Sequence, residues 1–271
     1  MMRSVRAQLD ALGGAARILL ECLDGSFCNR TVFRADLDRT ELLARCRKDA
    51  RLCLPAPPGG RRKYQEKTFT PEEVRTDKSI LWKTSKAFVA GAWREVRYKE
   101  TAGVLWRRGA ATRPLRLIVI AGAPYKLTLH GRTYYGEPAS LPTTDLASAA
   151  GELIQAYCDR WQIEVNHRDE KDILGVGDAQ VRSPLSVARQ PSLQVAAYSL
   201  LLLAALQTHG PERTAAYLPL PKWRKHARRP SILDIVSLIR WELETLPANE
   251  TRDCDSLRAN LRENLVKYAD T

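Results

Sequence analysis

The sequence lacks the patterns that mark several common kinds of enzyme. No serine or cysteine stands in a nucleophile-elbow context, no phosphate-loop consensus occurs, and no Gly-x-Gly-x-x-Gly follows a predicted strand. Its histidines are few and scattered, at His130, His167, His209 and His226. Metal-assisted phosphoryl transfer is the chemistry that these absences leave open.

Cysteine patterning excludes a disulfide framework and disfavours a zinc site. The six cysteines include no C-x2-C pair, and the first residues lack the apolar core of a secretory signal. A structural zinc site would have to use Cys22, Cys28, Cys46 and Cys53, whose gaps of six, eighteen and seven positions match no common ligand spacing. We therefore expect reduced thiols and a cytoplasmic protein.

Long apolar runs are also scarce. The main candidate, Ser192 to Leu206, is apolar on nearly every side but has only fifteen residues, too few to cross a bilayer. This pattern predicts a helix buried in the core and no contact with a membrane.

Acidic residues are outnumbered by basic ones. With 43 Lys and Arg against 31 Asp and Glu, the net charge is +12 and the isoelectric point about 9.6, which favours nucleic acid as the partner. A loop over 221–229 concentrates basic side chains around one tryptophan and supplies Lys222, Arg224 and Lys225 as candidate phosphate contacts. A solvated charge run is an equally good reading of that loop.

Four polar positions stand out between residues 149 and 174, a stretch without proline that predicts one helix capped by Ser148. A turn of about 100° per residue brings Tyr157, Arg160, Glu164 and Lys171 within an arc of roughly 60°. A neighbouring apolar arc would dock this helix on the core, through Ile154, Cys158, Trp161 and Val165. One carboxylate among spaced cations suggests a metal ligand flanked by phosphate contacts. An ordinary exposed ion pair between Arg160 and Glu164 is the alternative.

A second carboxylate follows a predicted strand. Residues 17–23 form a mostly apolar run of strand length, and Asp24 comes directly after it. Ligands of open α/β sheets gather beyond the carboxyl ends of strands, so Asp24 is placed for a site, although Asp-Gly after a strand is often only a turn.

The spacing Y-x2-R-x3-E-x6-K from Tyr157 to Lys171, continuing into Leu-Gly-Val-Gly, resembles the signature of bacterial insertion-sequence transposases that use an Asp-Asp-Glu triad. The segment DGSFCNRTVFR, which begins at Asp24, resembles the surroundings of the second aspartate in that family. As we read it, the resemblance covers about Ile18 to Glu242. It implies an α/β fold with a ribonuclease H-like core, in which a mixed sheet with flanking helices is interrupted by a β-rich insertion.

The resemblance also implies roles for particular residues. Asp24 and Glu164 would be catalytic ligands of a two-metal site holding Mg²⁺ or Mn²⁺. The DNA-binding candidates within the motif are Tyr157, Arg160, His167, Arg168 and Lys171. The implied partners are double-stranded DNA, as terminal inverted repeats and target, and a second copy of the chain on the paired DNA ends.

The chain departs from the family at its beginning. Only Asp10 precedes Asp24, and fourteen positions cannot hold the strands and helix that separate the first two catalytic aspartates of the family. We therefore expect an N-terminally truncated transposase that does not cleave DNA alone, unless Asp145 or Asp169 substitutes. A catalytically silent DNA-binding remnant and a basic scaffold protein remain as alternatives.

The predicted organisation has four parts. Residues 1–54 and 138–247 would form the two halves of the catalytic core, 55–137 the β-rich insertion, and 248–271 a charged tail. A nucleoid-associated location in the bacterial cytoplasm follows from the same resemblance.

Overall fold

The computed structural model describes residues 1–89, 92–126, 131–210 and 231–245. The chain forms two compact units, Met1–Ile163 and Glu164–Thr271. The first unit is an α/β fold built on a mixed sheet, and the described part of the second is helical. The predicted α/β class with flanking helices is confirmed at this level.

Strands and short helices alternate through the first unit. Its strands are β1 (Leu19–Leu23), β2 (Thr40–Ala44), β3 (Leu52–Pro55), β4 (Tyr64–Phe69), β5 (Lys83–Val89), β6 (Ala92–Leu105), β7 (Pro114–Ile120), β8 (Pro124–Lys126), β9 (Thr133–Tyr135) and β10 (Ala139–Thr143). Its helices are α1 (Met2–Leu9), α2 (Arg30–Phe33), α3 (Pro71–Thr76) and α4 (Ala150–Asp159).

The main sheet has the order β1-β2-β10-β7-β6-β3-β4, and β5 also pairs with β6. Strands β1 and β2 are parallel, whereas the other pairings in this sheet are antiparallel. The strands β8 and β9 form a separate two-stranded sheet. Because β1 and β2 run in the same direction, their carboxyl ends meet at one edge of the sheet.

Apolar side chains cover both faces of the sheet. Alternate residues of β7 point to opposite faces: Leu117 and Val119 join one cluster, while Ile118 joins another together with Leu153 and Ile154 of α4. All five are almost fully buried. Helix α4 is therefore fixed on one face of the sheet.

The predicted boundaries at residues 54/55 and 137/138 both fall inside the first unit. Residues 55–137 contain β4 to β9, and β4, β6 and β7 belong to the same sheet as β1 and β2. The break between the two units follows Ile163 and was not predicted. The predicted tail, 248–271, lies outside the described residues.

The prediction of one continuous helix over residues 149–174 is wrong. Two helices replace it, α4 and α5 (Gln162–Asp172), with a turn at Arg160 and Trp161 between them. The Trp161 amide donates to the Cys158 carbonyl, a spacing of three residues that tightens the backbone. The angular relation assumed for a single helix therefore does not hold, and Trp161, assigned to the buried arc, is 58% exposed.

The described part of the second unit also contains α6 (Pro184–His209) and α7 (Ile232–Thr245). Helix α6 begins after Ser183, whose hydroxyl accepts a hydrogen bond from the Ser186 amide at 3.1 Å. Pro184 is compatible with the first helical position, and the helix also accommodates Pro191. It therefore starts eight residues earlier than the apolar run suggested.

The prediction that this helix is buried is wrong for most of its leucines. Leu193 is 71% and Leu200 is 64% exposed. Among the described residues, the side of the helix around Tyr198 packs with Ile232 and Ile235 of α7. Within the described residues, the Pro184–Thr208 stretch is the one helix long and apolar enough to cross a membrane, and of its 18 most apolar consecutive residues 6% are buried. A single helix of this kind is weak evidence for a membrane span.

Candidate functional site

Asp24 lies where the sequence predicted it, directly after β1. Its backbone is extended, and its Oδ1 accepts a hydrogen bond from the Gly25 amide at 2.6 Å, so the carboxylate caps the short helical turn Gly25–Phe27. The side chain is exposed at the edge where the parallel strands β1 and β2 end. This is the edge at which open α/β sheets bind ligands.

A cleft of about 550 Å³ opens at this edge. Its walls carry Asp24 together with the basic side chains Arg45, Arg47 and Lys48, which follow β2. The start of β10 closes the cleft, because the Cys46 amide donates to the Ser140 carbonyl at 2.8 Å. These three cations were not among the predicted site residues, although R-C-R-K directly after a buried strand is a visible signal.

The other carboxylates that line this cleft are already paired with arginines. Their closest ion-pair distances are 3.3 Å for Glu137 with Arg45, 2.9 Å for Asp49 with Arg47 and 2.5 Å for Glu72 with Arg75. These partners lower the pKa of Asp49 and of Glu72, through hydrogen bonds from Arg47 and Arg75. Asp24 is thus the carboxylate best placed to meet an incoming cation.

Asp10 is at the opposite end of β1. Its carboxylate pairs with Arg6 and Arg39, and these contacts lower its pKa, chiefly through the hydrogen bond from Arg6. The Arg39 carbonyl accepts from the Leu19 amide, which is the first residue of the strand. Because five residues of strand span roughly 16 Å, Asp10 cannot share a metal with Asp24.

Asp145 also belongs to the opposite edge and has a structural role. Strand β10 runs antiparallel to β2, so Asp145, which follows β10, lies near the start of β2 and not its end. The Asp145 carboxylate accepts hydrogen bonds from the Ala147 and Ser148 amides and from the Ser148 hydroxyl. Ser148 therefore does not cap α4 as predicted, and Asp145 does not reach the edge that carries Asp24.

Helix α4 runs along the sheet toward the edge that carries Asp24. Its start is held by Arg116, which donates to the Ser148 carbonyl, and near its end Tyr157 packs on the same apolar cluster as Cys22 of β1. Burial raises the pKa of the Cys22 thiol to about 11, and the Arg160 guanidinium opposes this rise. The Arg160 guanidinium lies 5.9 Å from the centre of the Tyr157 ring. Tyr157 and Arg160 are thus together, beside the strand that leads to Asp24.

The remaining motif residues belong to the second unit. Glu164 is exposed in the first turn of α5 and Lys171 in the last, so seven positions place them on one face about 10 Å apart along the axis. His167 contacts Glu170, and Arg168 pairs with Asp169 at 2.7 Å. Asp169 is thus engaged within α5. The convergence of Asp24 and Glu164 across the two units stays a prediction.

The residues of the first unit fit one divalent ion and not a pair. Mg²⁺ takes one or two carboxylates and keeps water and phosphate oxygens as its other ligands, a set that Asp24 and a bound phosphate group could complete. In the described part of the chain, no group of three His, Cys, Asp or Glu side chains could hold a metal ion.

The basic loop with Lys222, Arg224 and Lys225 lies outside the described residues, so its predicted phosphate contacts stay predictions. In comparisons with known proteins, no family model matches this chain, and no curated protein matches it either.

Proposed function

We propose that this protein binds double-stranded DNA at the Asp24 cleft and derives from an insertion-sequence transposase with a ribonuclease H-like core. The observation that carries the proposal is the meeting of Asp24 with Arg45, Arg47 and Lys48 at the carboxyl edge of β1 and β2. The Y-R-E-K spacing adds support, because Arg160 directly follows helix α4, which ends beside β1. We place the protein in the bacterial cytoplasm, at the nucleoid.

The cations of the cleft would bind the DNA backbone. Lys48 would neutralise a phosphate, and so would Arg45, whose pair with the 90% exposed Glu137 is weak. The fork of Arg160 can hold a phosphate through two parallel hydrogen bonds. Asp24 would hold Mg²⁺ or Mn²⁺ beside the bound phosphate. When bound, such an ion would supply Lewis acidity at the phosphorus of that phosphate.

DNA binding is tested by the salt dependence of affinity for a duplex that carries an insertion-sequence end. We expect log K to fall linearly with log salt, and Arg45→Ala/Lys48→Ala to flatten the slope by about 1.8, because each lost phosphate contact removes about 0.9. Lys86→Ala/Arg94→Ala is the matched control, since it removes the same two charges from exposed positions on β5 and β6. Equal slopes for both variants would exclude the cleft as the binding site.

The second candidate function is DNA binding without catalytic activity. This candidate is favoured because Asp49, Glu72 and Glu137 are each paired with an arginine. Among the described residues that line the cleft, Asp24 is then the one carboxylate without an arginine partner, and so the one candidate ligand for a metal ion. A basic scaffold protein with no nucleic-acid role would differ from both, because it would not show DNA binding whose log K falls linearly with log salt.

A further inference from the structure

A second cleft, of about 520 Å³ and with a basic lining, lies on β3 and β4 and on the turn that follows β6. Its lining carries five cations, Arg51, Arg62, Lys63, Arg107 and Arg108, against one carboxylate, Glu66. Glu66 is mostly exposed and pairs with Arg62, so the remaining four cations are in excess. Such an excess in a concave surface attracts a polyanion.

The turn that presents Arg107 and Arg108 is rigidly anchored. The Arg34 guanidinium donates to the carbonyl oxygens of both residues, at 3.1 and 3.3 Å. The preceding Trp106 packs edge-on against Phe33, with ring centres 5.5 Å apart. The two side chains therefore project from a fixed backbone, which reduces the entropy lost when they bind a ligand.

Tyr64 indicates which form of nucleic acid fits. It is the one aromatic residue among those described in the lining, it is half-buried, and the Arg107 guanidinium already lies 5.6 Å from its ring centre. Sites for single-stranded DNA combine phosphate contacts with several aromatic faces on which successive bases stack, whereas duplex binding can rest on phosphate contacts alone. The lining therefore suits the backbone of a duplex.

The Asp24 cleft and the β3–β4 cleft adjoin along the chain. Lys48 and Asp49 line the first and Arg51 lines the second, so the Cα atoms of Asp49 and Arg51 are at most about 7 Å apart. Resting on the proposed function, we infer that the β3–β4 cleft binds the phosphate backbone of the same DNA duplex beyond the part held at Asp24. It would lengthen the contacted segment without reading its sequence.

Arg51→Ala/Lys63→Ala tests this inference, with Lys86→Ala/Arg94→Ala as the control of equal charge. On a long duplex we expect the first variant to flatten the slope of log K against log salt by about 1.8 relative to wild type, with the same effect on unrelated sequences. The control should retain the wild-type slope. A circular dichroism spectrum equal to that of wild type shows that the variant is folded.

Three outcomes would overturn the inference. If wild type binds duplex with the expected salt dependence and Arg51→Ala/Lys63→Ala is indistinguishable from the control, the β3–β4 cleft is not a DNA site and the proposed function stands. If only binding of a single strand of equal length is weakened, the duplex assignment is wrong. If wild type binds no DNA at all, the proposed function and this inference fail together.

Discussion

The buried ion pair between Glu100 and Arg116 should control both stability and the position of α4. Arg116 donates to the Glu100 carboxylate at 2.5 Å and to the carbonyl of Ser148, just before the helix. Lys83 contacts the other oxygen of Glu100 at 3.1 Å. The Arg116 side chain is only 9% exposed. Replacing Glu100 by Gln therefore leaves a nearly buried positive charge without its carboxylate partner.

Breaking a buried pair by removing one partner costs about 3 to 5 kcal/mol. We expect Glu100→Gln to lower the free energy of unfolding by about 3 kcal/mol, since the Glu100 side chain retains 18% exposure. Lys83→Ala, which removes a side chain that is 60% exposed, should cost less than about 1 kcal/mol. Glu100→Leu/Arg116→Met should be less destabilised than Glu100→Gln, because no buried charge is left unpaired.

The effect should depend on pH in a defined direction. Burial raises the pKa of Glu100, but hydrogen bonds from Lys83 and Arg116 outweigh it, so the pKa in the folded state is lowered. A lowered pKa contributes stability that is present above the value of the unfolded chain, about 4.3, and is lost as pH falls through the folded value. Urea unfolding at pH 7 and at pH 3 is the assay. A Glu100→Gln cost no larger than that of Lys83→Ala at pH 7 would refute this reasoning.

Three more predictions concern the second unit, the thiols and cleavage. Tyr198→Ala should lower the free energy of unfolding of the second unit by about 3 kcal/mol and Leu200→Ala by less than about 1 kcal/mol, because Tyr198 is buried and Leu200 is exposed. Equal losses for the two variants in urea titrations would contradict the packing of α6. Burial raises the pKa of Cys22 to about 11 and of Cys28 to about 12, so both thiols should react slowly with iodoacetamide at pH 8 until denaturant is added. Rapid reaction of these two thiols in the native protein would contradict their burial. The chain alone should not nick end-containing DNA with Mn²⁺; nicking that Glu164→Ala abolishes would mean that the site is complete.

Local signals sufficed for the strand and turn at Asp24. The apolar run before it and the Asp-Gly after it predict a strand followed by a turn, and β1 ends at Leu23. Local signals could not predict the cleft, because the pairing of Cys46 with Ser140 joins residues almost a hundred positions apart. No pattern within either segment specifies that pairing.

Two errors have physical causes. The turn at Arg160 and Trp161 contains no proline or glycine, so nothing local marked the end of α4. The apolar composition of α6 predicted burial, but composition does not say which side of a helix meets a partner, and Tyr198 and not Leu200 faces α7.

Mn²⁺ affinity, measured by electron paramagnetic resonance of the free ion, tests most directly whether Asp24 and Glu164 form one site. Asp24→Asn, Glu164→Gln and the double variant would be compared with wild type, and Asp49→Asn is the control because Asp49 is paired with Arg47. Two ligands of one site are coupled, so each single variant should lose nearly as much affinity as the double variant. Losses that add independently, or no loss in Glu164→Gln, would show that the two carboxylates do not share an ion.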